Sequence, residues 1–205
     1  MQLIFSPASP YARKVHACLV ETGQKPDVEF VAVKTGPSAV APEVRAANPM
    51  GRLPALIRPD GPAIYDSRVI TRYLDARARD NGGAGLYPDS RLWEVLTLEA
   101  TADGILDSAL SIVYESRFRP VEHQSEDWKD AQWDKIAHAV KAVNDRWMGH
   151  LAGPIDMGQI ALGCALGYLD FRLDARGWRK GNDALDDWFA VFSERPCMKQ
   201  TAPHD

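Results

Sequence analysis

The sequence predicts a mixed α/β domain followed by an all-helical domain. In the first 80 residues, short β-rich segments alternate with amphipathic segments, whereas the clear patterns beyond residue 90 have helical spacing. The segment 81–85, Asn-Gly-Gly-Ala-Gly, separates the two regions and has the composition of a linker. The 205 residues are enough for two small domains. We predict an α/β domain over residues 1–80, a linker over 81–88 and a helical domain over 89–205.

The elements of the first domain follow from apolar spacing and turn residues. A strand is predicted at 2–5, and apolar positions from Ala12 to Thr22 predict a helix that Gly23 ends. Further signals predict a strand at 28–33, a short helix at 42–47, short strands at 53–58 and 63–65, and a helix that opens at 66–67. This order predicts a small mixed sheet with helices on its faces.

The second domain shows helical patterns alone. Apolar spacing predicts helices over 92–113, 128–147 and 185–192, and the stretch 156–174 is apolar almost all round, which is typical of a buried helix. Asp156 followed by Gln159 fits the pattern of a capping box at the start of that buried helix. We therefore predict a structural cap at Asp156 and assign it no catalytic role.

Charge and composition exclude several classes of function. Residues 1–80 carry a net charge of +3 and residues 81–205 a net charge of −7, without the basic tract that nucleic-acid binding usually needs. No apolar run approaches the roughly 20 residues of a membrane span. The three cysteines form no C-x-x-C pair, and the five histidines show no metal-ligand spacing. We expect a cytoplasmic protein with reduced thiols, no metal, no nucleic acid and no membrane partner.

The stretch 6–14, Ser-Pro-Ala-Ser-Pro-Tyr-Ala-Arg-Lys, carries the clearest chemical signal. Proline is favoured in the first turn of a helix, so Pro10 places Ser9 at the helix N-terminus. That position offers unpaired backbone donors and the positive end of the helix dipole, which together stabilise an anion. The residues alone indicate either an ordinary capping serine or an anion site, and they leave the anion unidentified.

Four segments in order resemble the glutathione S-transferase family. They are Ser9-Pro10-Tyr11-Ala12-Arg13-Lys14, Asn48-Pro49-Met50-Gly51-Arg52-Leu53-Pro54-Ala55-Leu56, Asp66-Ser67, and the capped helix from Asp156 to Gln159. The stretch 159–172 is particularly similar to a bacterial YibF-like subgroup. The resemblance covers essentially the whole chain. It implies a thioredoxin-like N-terminal domain followed by a C-terminal helical bundle, with glutathione as co-substrate.

The resemblance also implies roles for residues of the first domain. Ser9 would donate its hydroxyl to the glutathione thiolate, with Ser6 as the alternative donor; the family position that carries cysteine in thiol-exchanging relatives is serine here, so thiol transfer should be weak. Leu53-Pro54 would be a cis bond whose Leu53 backbone pairs with glutathione. Asp66 and Ser67 would hold the γ-glutamyl end, and Lys34 the glycine carboxylate.

A second substrate is expected between the two domains. Its predicted pocket consists of one residue beside Ser9 and five on the long helix: Tyr11, Leu106, Ser111, Tyr114, Arg117 and Phe118. The resemblance implies a transferase that attacks a small electrophile with the bound thiolate. Isomerase, dehalogenase and ether-cleaving reactions stay open, as does a non-catalytic glutathione-binding protein with a regulatory or chaperone-like role. Family members usually form homodimers, and a role in detoxification is implied.

Overall fold

The computed structural model describes residues 1–83 and 85–205, and contacts divide them into two compact units. The first unit joins Met1–Leu92 to the C-terminal segment Arg195–Asp205, and the second unit is Trp93–Glu194. The predicted linker 81–88 includes Ala84, which lies outside the described residues. The domain bounds stay a prediction, and the return of the C-terminal segment to the first unit is a feature that the sequence patterns did not indicate.

The first unit contains a mixed sheet of three strands in the order β2-β1-β3. Strand β1 (Gln2–Phe5) lies in the centre, parallel to β2 (Glu29–Ala32) and antiparallel to β3 (Ala55–Ile57). The predicted strand at 63–65 is wrong as a full strand, because only Ile64 forms a bridge, to Leu56. Pro62 lacks an N–H on one side and a helix begins at Ser67 on the other, which leaves room for a single bridge.

Each predicted helix is present, together with two short helices of four residues that the sequence patterns did not indicate. Their bounds are α1 Pro10–Glu21, α2 Pro42–Ala47, α3 Ser67–Asp80, α4 Leu92–Phe118, α5 Glu126–Arg146, α6 Met148–Leu151, α7 Met157–Leu173, α8 Asp183–Phe192 and α9 Pro196–Lys199. In the first unit, α1 packs against both α3 and α9. Val15, Leu19, Ile70 and Leu74 are wholly buried there, which makes α1 part of the core as well as the start of the candidate site.

Helix α7 is the buried helix that the sequence predicts. Every residue from Asp156 to Leu166 is buried. Gly158 permits the close approach of α4, because a Cβ at that position would lie 3.0 Å from the Val95 carbonyl oxygen. Among residues 1–83 and 85–205, no helix combines the length and apolar composition that crossing a membrane requires.

Only one half of the predicted capping box at α7 is formed. Asp156 Oδ1 accepts a hydrogen bond from the Gln159 backbone N–H at 3.1 Å, which confirms the structural cap. The Gln159 side chain does not reciprocate; its amide donates instead to the carbonyl oxygens of the preceding loop, those of His150, Gly153 and Pro154. The cap therefore ties α7 to the chain that leads into it.

The His16 side chain on α1 makes the stability of this fold depend on pH. Burial lowers the pKa of His16 to about 4, helped by the charge of Lys25. The ring packs 4.5 Å from the Phe30 ring between centroids, and its Nε2 has no hydrogen-bond partner within the described residues. Protonation therefore places a charge on a partly buried ring whose Nε2 has no acceptor in the described part of the chain.

We predict that His16 makes the protein less stable as the pH falls from about 6.5 to 4. The pKa is lower in the folded than in the unfolded chain, so in this window the unfolded state binds more protons and stability declines with acid. Solvent screening of the partly exposed ring reduces the total loss to about 1–2 kcal/mol. The measurement is the free energy of urea unfolding at several pH values for wild type and His16→Gln. The exposed His204→Gln is the control. Parallel curves for wild type and His16→Gln would contradict the prediction.

Candidate active site

Ser9 lies in a tight connection between β1 and α1. Its backbone N–H donates to the Ser6 carbonyl oxygen at 3.0 Å, and its own carbonyl oxygen accepts from the Arg13 N–H at 3.0 Å. Its Oγ accepts from the Ala12 N–H at 3.3 Å, so Ser9 is the N-cap of α1, as predicted, with Pro10 in the first turn. A hydroxyl oxygen that accepts this bond keeps its O–H for donation to a further group.

The sheet topology gathers the predicted residues at one edge. Strands β1 and β2 are parallel, so the chain beyond their ends, which contains Ser9 and Lys34, emerges on the same side. Strand β3 runs the other way and pairs Ala55 with Ile4, so the residues just before β3 lie beside the end of β1. The antiparallel bridge between Leu56 and Ile64 then returns the chain to this edge, where α3 begins.

Leu53 and Pro54 approach this edge with a cis peptide bond between them, as the sequence resemblance implied. Pro54 is buried, and Leu53 packs against the cluster formed by Ile4, Val44 and Ala47. In residues 1–83 and 85–205, the Leu53 backbone N–H and C=O take part in no hydrogen bond. Backbone groups held in this way are suited to pairing with an extended peptide-like ligand.

Asp66 and Ser67 form the N-terminus of α3. Asp66 is the N-cap: its Oδ1 accepts from the Arg68 N–H at 3.0 Å, and its half-exposed carboxylate lies 3.2 Å from the Arg68 guanidinium. Ser67 is 2% exposed, and its carbonyl oxygen accepts from Thr71 Oγ1. The pair offers helix N–H groups to an anion and a carboxylate to a cation. Lys34 is exposed beyond β2.

The residues predicted to line the second-substrate pocket differ in how far their side chains are exposed. Tyr11 is partly buried in the first turn of α1. Leu106 is 0% exposed in the core of the helical unit and offers no surface to a ligand in this conformation. Ser111 accepts a hydrogen bond from the Trp128 indole N–H at 3.1 Å. Near the end of α4, Tyr114, Arg117 and Phe118 are exposed, and the rings of Tyr114 and Phe118 meet edge to face at 5.2 Å.

Tyr168 and Arg172 of α7 lie near this end of α4. The sequence patterns did not indicate them as candidate site residues. The pKa of Tyr168 is raised to about 12, chiefly by burial; Arg172 and Arg117 act to lower it and Tyr114 acts to raise it. The Arg172 guanidinium also stacks on Phe171, with its carbon 3.7 Å from the ring centre. The apolar pattern of α7 gives no sign of such a site, and the pairing of the two helices is what reveals this set of phenols and guanidinium groups.

Family models match both parts of the chain. The model of the glutathione S-transferase N-terminal domain matches residues 3–82, and the model of the C-terminal domain matches residues 126–190. The chain is also similar to the uncharacterized GST-like protein YibF of Escherichia coli (strain K12). The identity is 32% over 211 residues, and the alignment covers 99% of this chain and 98% of that protein.

Solved structures with bound glutathione or a glutathione derivative are similar over the full length. A glutathione transferase family member from Pseudomonas fluorescens Pf-5 with bound glutathione is 40% identical, with a TM-score of 0.95 over 100% of this chain and 99% of that chain. A structure from the same organism with bound S-(propanoic acid)-glutathione has a TM-score of 0.90 at 40% identity, over 100% of both chains. The fold, the two domain matches and this identity agree: the chain belongs to the glutathione S-transferase family.

Proposed function

We propose that the protein is a glutathione transferase in which Ser9 stabilises the glutathione thiolate for attack on a small electrophile. The observation that carries the proposal is the position of Ser9 at the N-terminus of α1. Ser9 caps α1 at the same edge of the sheet as Leu53, whose backbone hydrogen-bonding groups are unused within the described residues. A free thiol has a pKa of about 8.5, and the thiolate is the nucleophile. A hydroxyl donor and a helix N-terminus both favour the anionic form.

Each part of glutathione is bound by a different group of residues at this edge of the sheet. The Leu53 backbone pairs with the cysteine residue of the tripeptide in the manner of an added strand, and Pro54 fixes its direction. Ser67 and the first N–H groups of α3 receive the γ-glutamyl carboxylate, and Asp66 receives the ammonium in place of its contact with Arg68. Lys34 pairs with the glycine carboxylate. Glutathione bound to the Pseudomonas fluorescens relative supports glutathione as the ligand.

The second substrate contacts the exposed aromatic and basic groups at the end of α4, together with Ser111. Tyr114 and Phe118 supply apolar surface, and Arg117 supplies positive charge near Arg172 of α7. A related protein binds a glutathione whose sulfur carries propanoic acid, which supports a small electrophile with a polar group. Conjugation is the reaction that a bound thiolate performs without another catalytic group.

A titration of bound glutathione tests the proposal. We expect the thiol of glutathione bound to the wild-type protein to have a pKa about two units below the free value, measured by thiolate absorbance in the ultraviolet. Tight binding with an unshifted pKa would overturn the enzymatic proposal in favour of a regulatory or chaperone-like glutathione-binding protein. A screen of electrophiles is worthwhile only after the first result.

The assembly and the location are also proposals. We propose a cytoplasmic homodimer with a role in detoxification, and the exposed face of α3 is available for the second copy. That face includes Val69, which is 50% exposed, with Arg72 and Ala76 on the following turns. Sedimentation equilibrium of wild type and Val69→Glu tests the dimer: a monomeric wild type would contradict it.

A further inference from the structure

The side chain of Arg13 is buried without a counter-charge. It is 8% exposed, in the second turn of α1. Its guanidinium donates to two neutral acceptors of the C-terminal segment, the Met198 carbonyl oxygen at 3.2 Å and Thr201 Oγ1 at 3.4 Å. The third nitrogen, Nη1, is buried without a hydrogen-bond partner, and no carboxylate pairs with Arg13 in the described part of the chain. A buried charge in this state is costly, which indicates a role beyond stability.

Arg13 stands one helical turn from Ser9. Its backbone N–H donates to the Ser9 carbonyl oxygen at 3.0 Å, the first i to i+4 bond of α1. Residues four apart lie on the same side of a helix, and four residues correspond to a rise of about 6 Å. Arg13 therefore follows Ser9 on the same side of α1, one turn from the terminus that Ser9 caps, and its side chain is buried in protein.

Two acidic side chains around α1 are already paired with other cations. Around α1, Arg195 pairs with Glu21 at 2.7 Å and Arg77 pairs with Asp27 at 3.0 Å, so these acids are engaged by other cations. Helix α9 packs on α1 and brings the Met198 carbonyl oxygen to Arg13, and the Thr201 hydroxyl beyond α9 is its second acceptor. The C-terminal segment thus holds the guanidinium in place while leaving its charge uncompensated.

We propose that Arg13 is a buried cation whose field stabilises the anionic sulfur at Ser9, and that the C-terminal segment Arg195–Asp205 exists in part to hold it. The inference rests on the proposed function, since the anion is the glutathione thiolate. Arg13 acts without touching the sulfur, as a positioning and electrostatic residue. Unlike an exposed charge, it is shielded from solvent, so its effect should persist at physiological salt.

The first test compares the pKa of bound glutathione in neutral and charged variants. Arg13→Met fills the buried space without charge, Arg13→Gln keeps a hydrogen-bond donor, and Arg13→Lys keeps the charge. We expect both neutral variants to raise the pKa by about one unit, a tenfold loss of thiolate over thiol, and Arg13→Lys to stay near wild type. Arg77→Gln, which removes a guanidinium that a carboxylate already neutralises, should leave the pKa unchanged.

A second readout separates this inference from the proposed function. In a Ser9→Cys background the introduced thiol reports the field at the helix terminus without glutathione, through the pH dependence of its alkylation by iodoacetamide; the native cysteines are all buried. Adding Arg13→Met should raise the pKa of that thiol by about one unit. An unchanged thiol in folded protein overturns the inference, even if glutathione binds. A shifted thiol without glutathione binding supports the inference and overturns the proposed function.

Discussion

Replacing Ser9 by alanine should raise the pKa of bound glutathione by one to two units and lower turnover at pH 7 about tenfold or more. A hydrogen bond to a charged group contributes about 1.5–3 kcal/mol, and each pKa unit corresponds to 1.36 kcal/mol. Glutathione affinity should change little, because in the proposed site Leu53, Ser67 and Lys34 hold the rest of the tripeptide. The measurements are the ultraviolet titration of the bound thiol and the pH profile of kcat/KM, which should move to higher pH by the same amount.

The capping role of Ser9 requires a matched control. Ser9→Ala also removes the acceptor of the Ala12 N–H, which costs about 1 kcal/mol of stability on its own. Ser125→Ala makes the same change at the N-cap of α5, where Ser125 Oγ accepts from the Trp128 N–H at 3.2 Å. This control should lose similar stability without any change in thiol pKa. Ser9→Thr should restore both functions.

The alternative donor gives the outcome that contradicts this assignment. Ser6 offers its backbone carbonyl to the Ser9 N–H and stands at the end of β1. If Ser6→Ala raises the thiol pKa and Ser9→Ala does not, the hydroxyl donor is Ser6. If neither variant changes the pKa, the backbone donors and the helix dipole alone stabilise the thiolate.

Local signals explain why much of the fold could be predicted. Pro10 after Ser9 and the apolar run beyond Asp156 each specify a helix start within a few residues, and the structure confirms both caps. The cis bond at Leu53-Pro54 is different in kind. The residues alone give it a low probability, so its prediction depended on similarity to the family.

The features that could not be predicted depend on distant contacts. The C-terminal segment is too short for a periodic pattern, since α9 spans only Pro196–Lys199, and its place against α1 arises from tertiary packing. The burial of Arg13 follows from that placement, because an arginine on an amphipathic helix is ordinarily exposed. The meeting of Tyr168 and Arg172 with Tyr114 likewise requires the register of α7 against α4, which no single-helix pattern contains.

Replacing Asp156 by alanine should cause the largest loss of stability, about 3–5 kcal/mol. The carboxylate is 0% exposed; its Oδ1 caps α7 through the Gln159 N–H, and its Oδ2 lies 2.8 Å from His150 Nε2. The variant loses the N-cap of α7. It also leaves the largely buried His150 side chain without the carboxylate that it faces. For a chain of this length, a change of this size lowers Tm by about 10 °C or more. Urea and thermal unfolding followed by tryptophan fluorescence measure it.

Two further substitutions separate the stability that comes from the N-cap of α7 from the stability that comes from the contact with His150. Asp156→Ser keeps a capping oxygen but cannot reach both partners, whereas Asp156→Asn keeps the shape and both polar atoms without the charge. We expect the order of stability to be wild type, Asn, Ser and then Ala. Equal unfolding midpoints for wild type and Asp156→Ala would show that α7 is held by apolar packing alone. Since we assign Asp156 a structural role alone, the thiol pKa of glutathione bound to folded Asp156→Asn should equal that of wild type. This comparison separates the stability of the helical unit from the chemistry at Ser9.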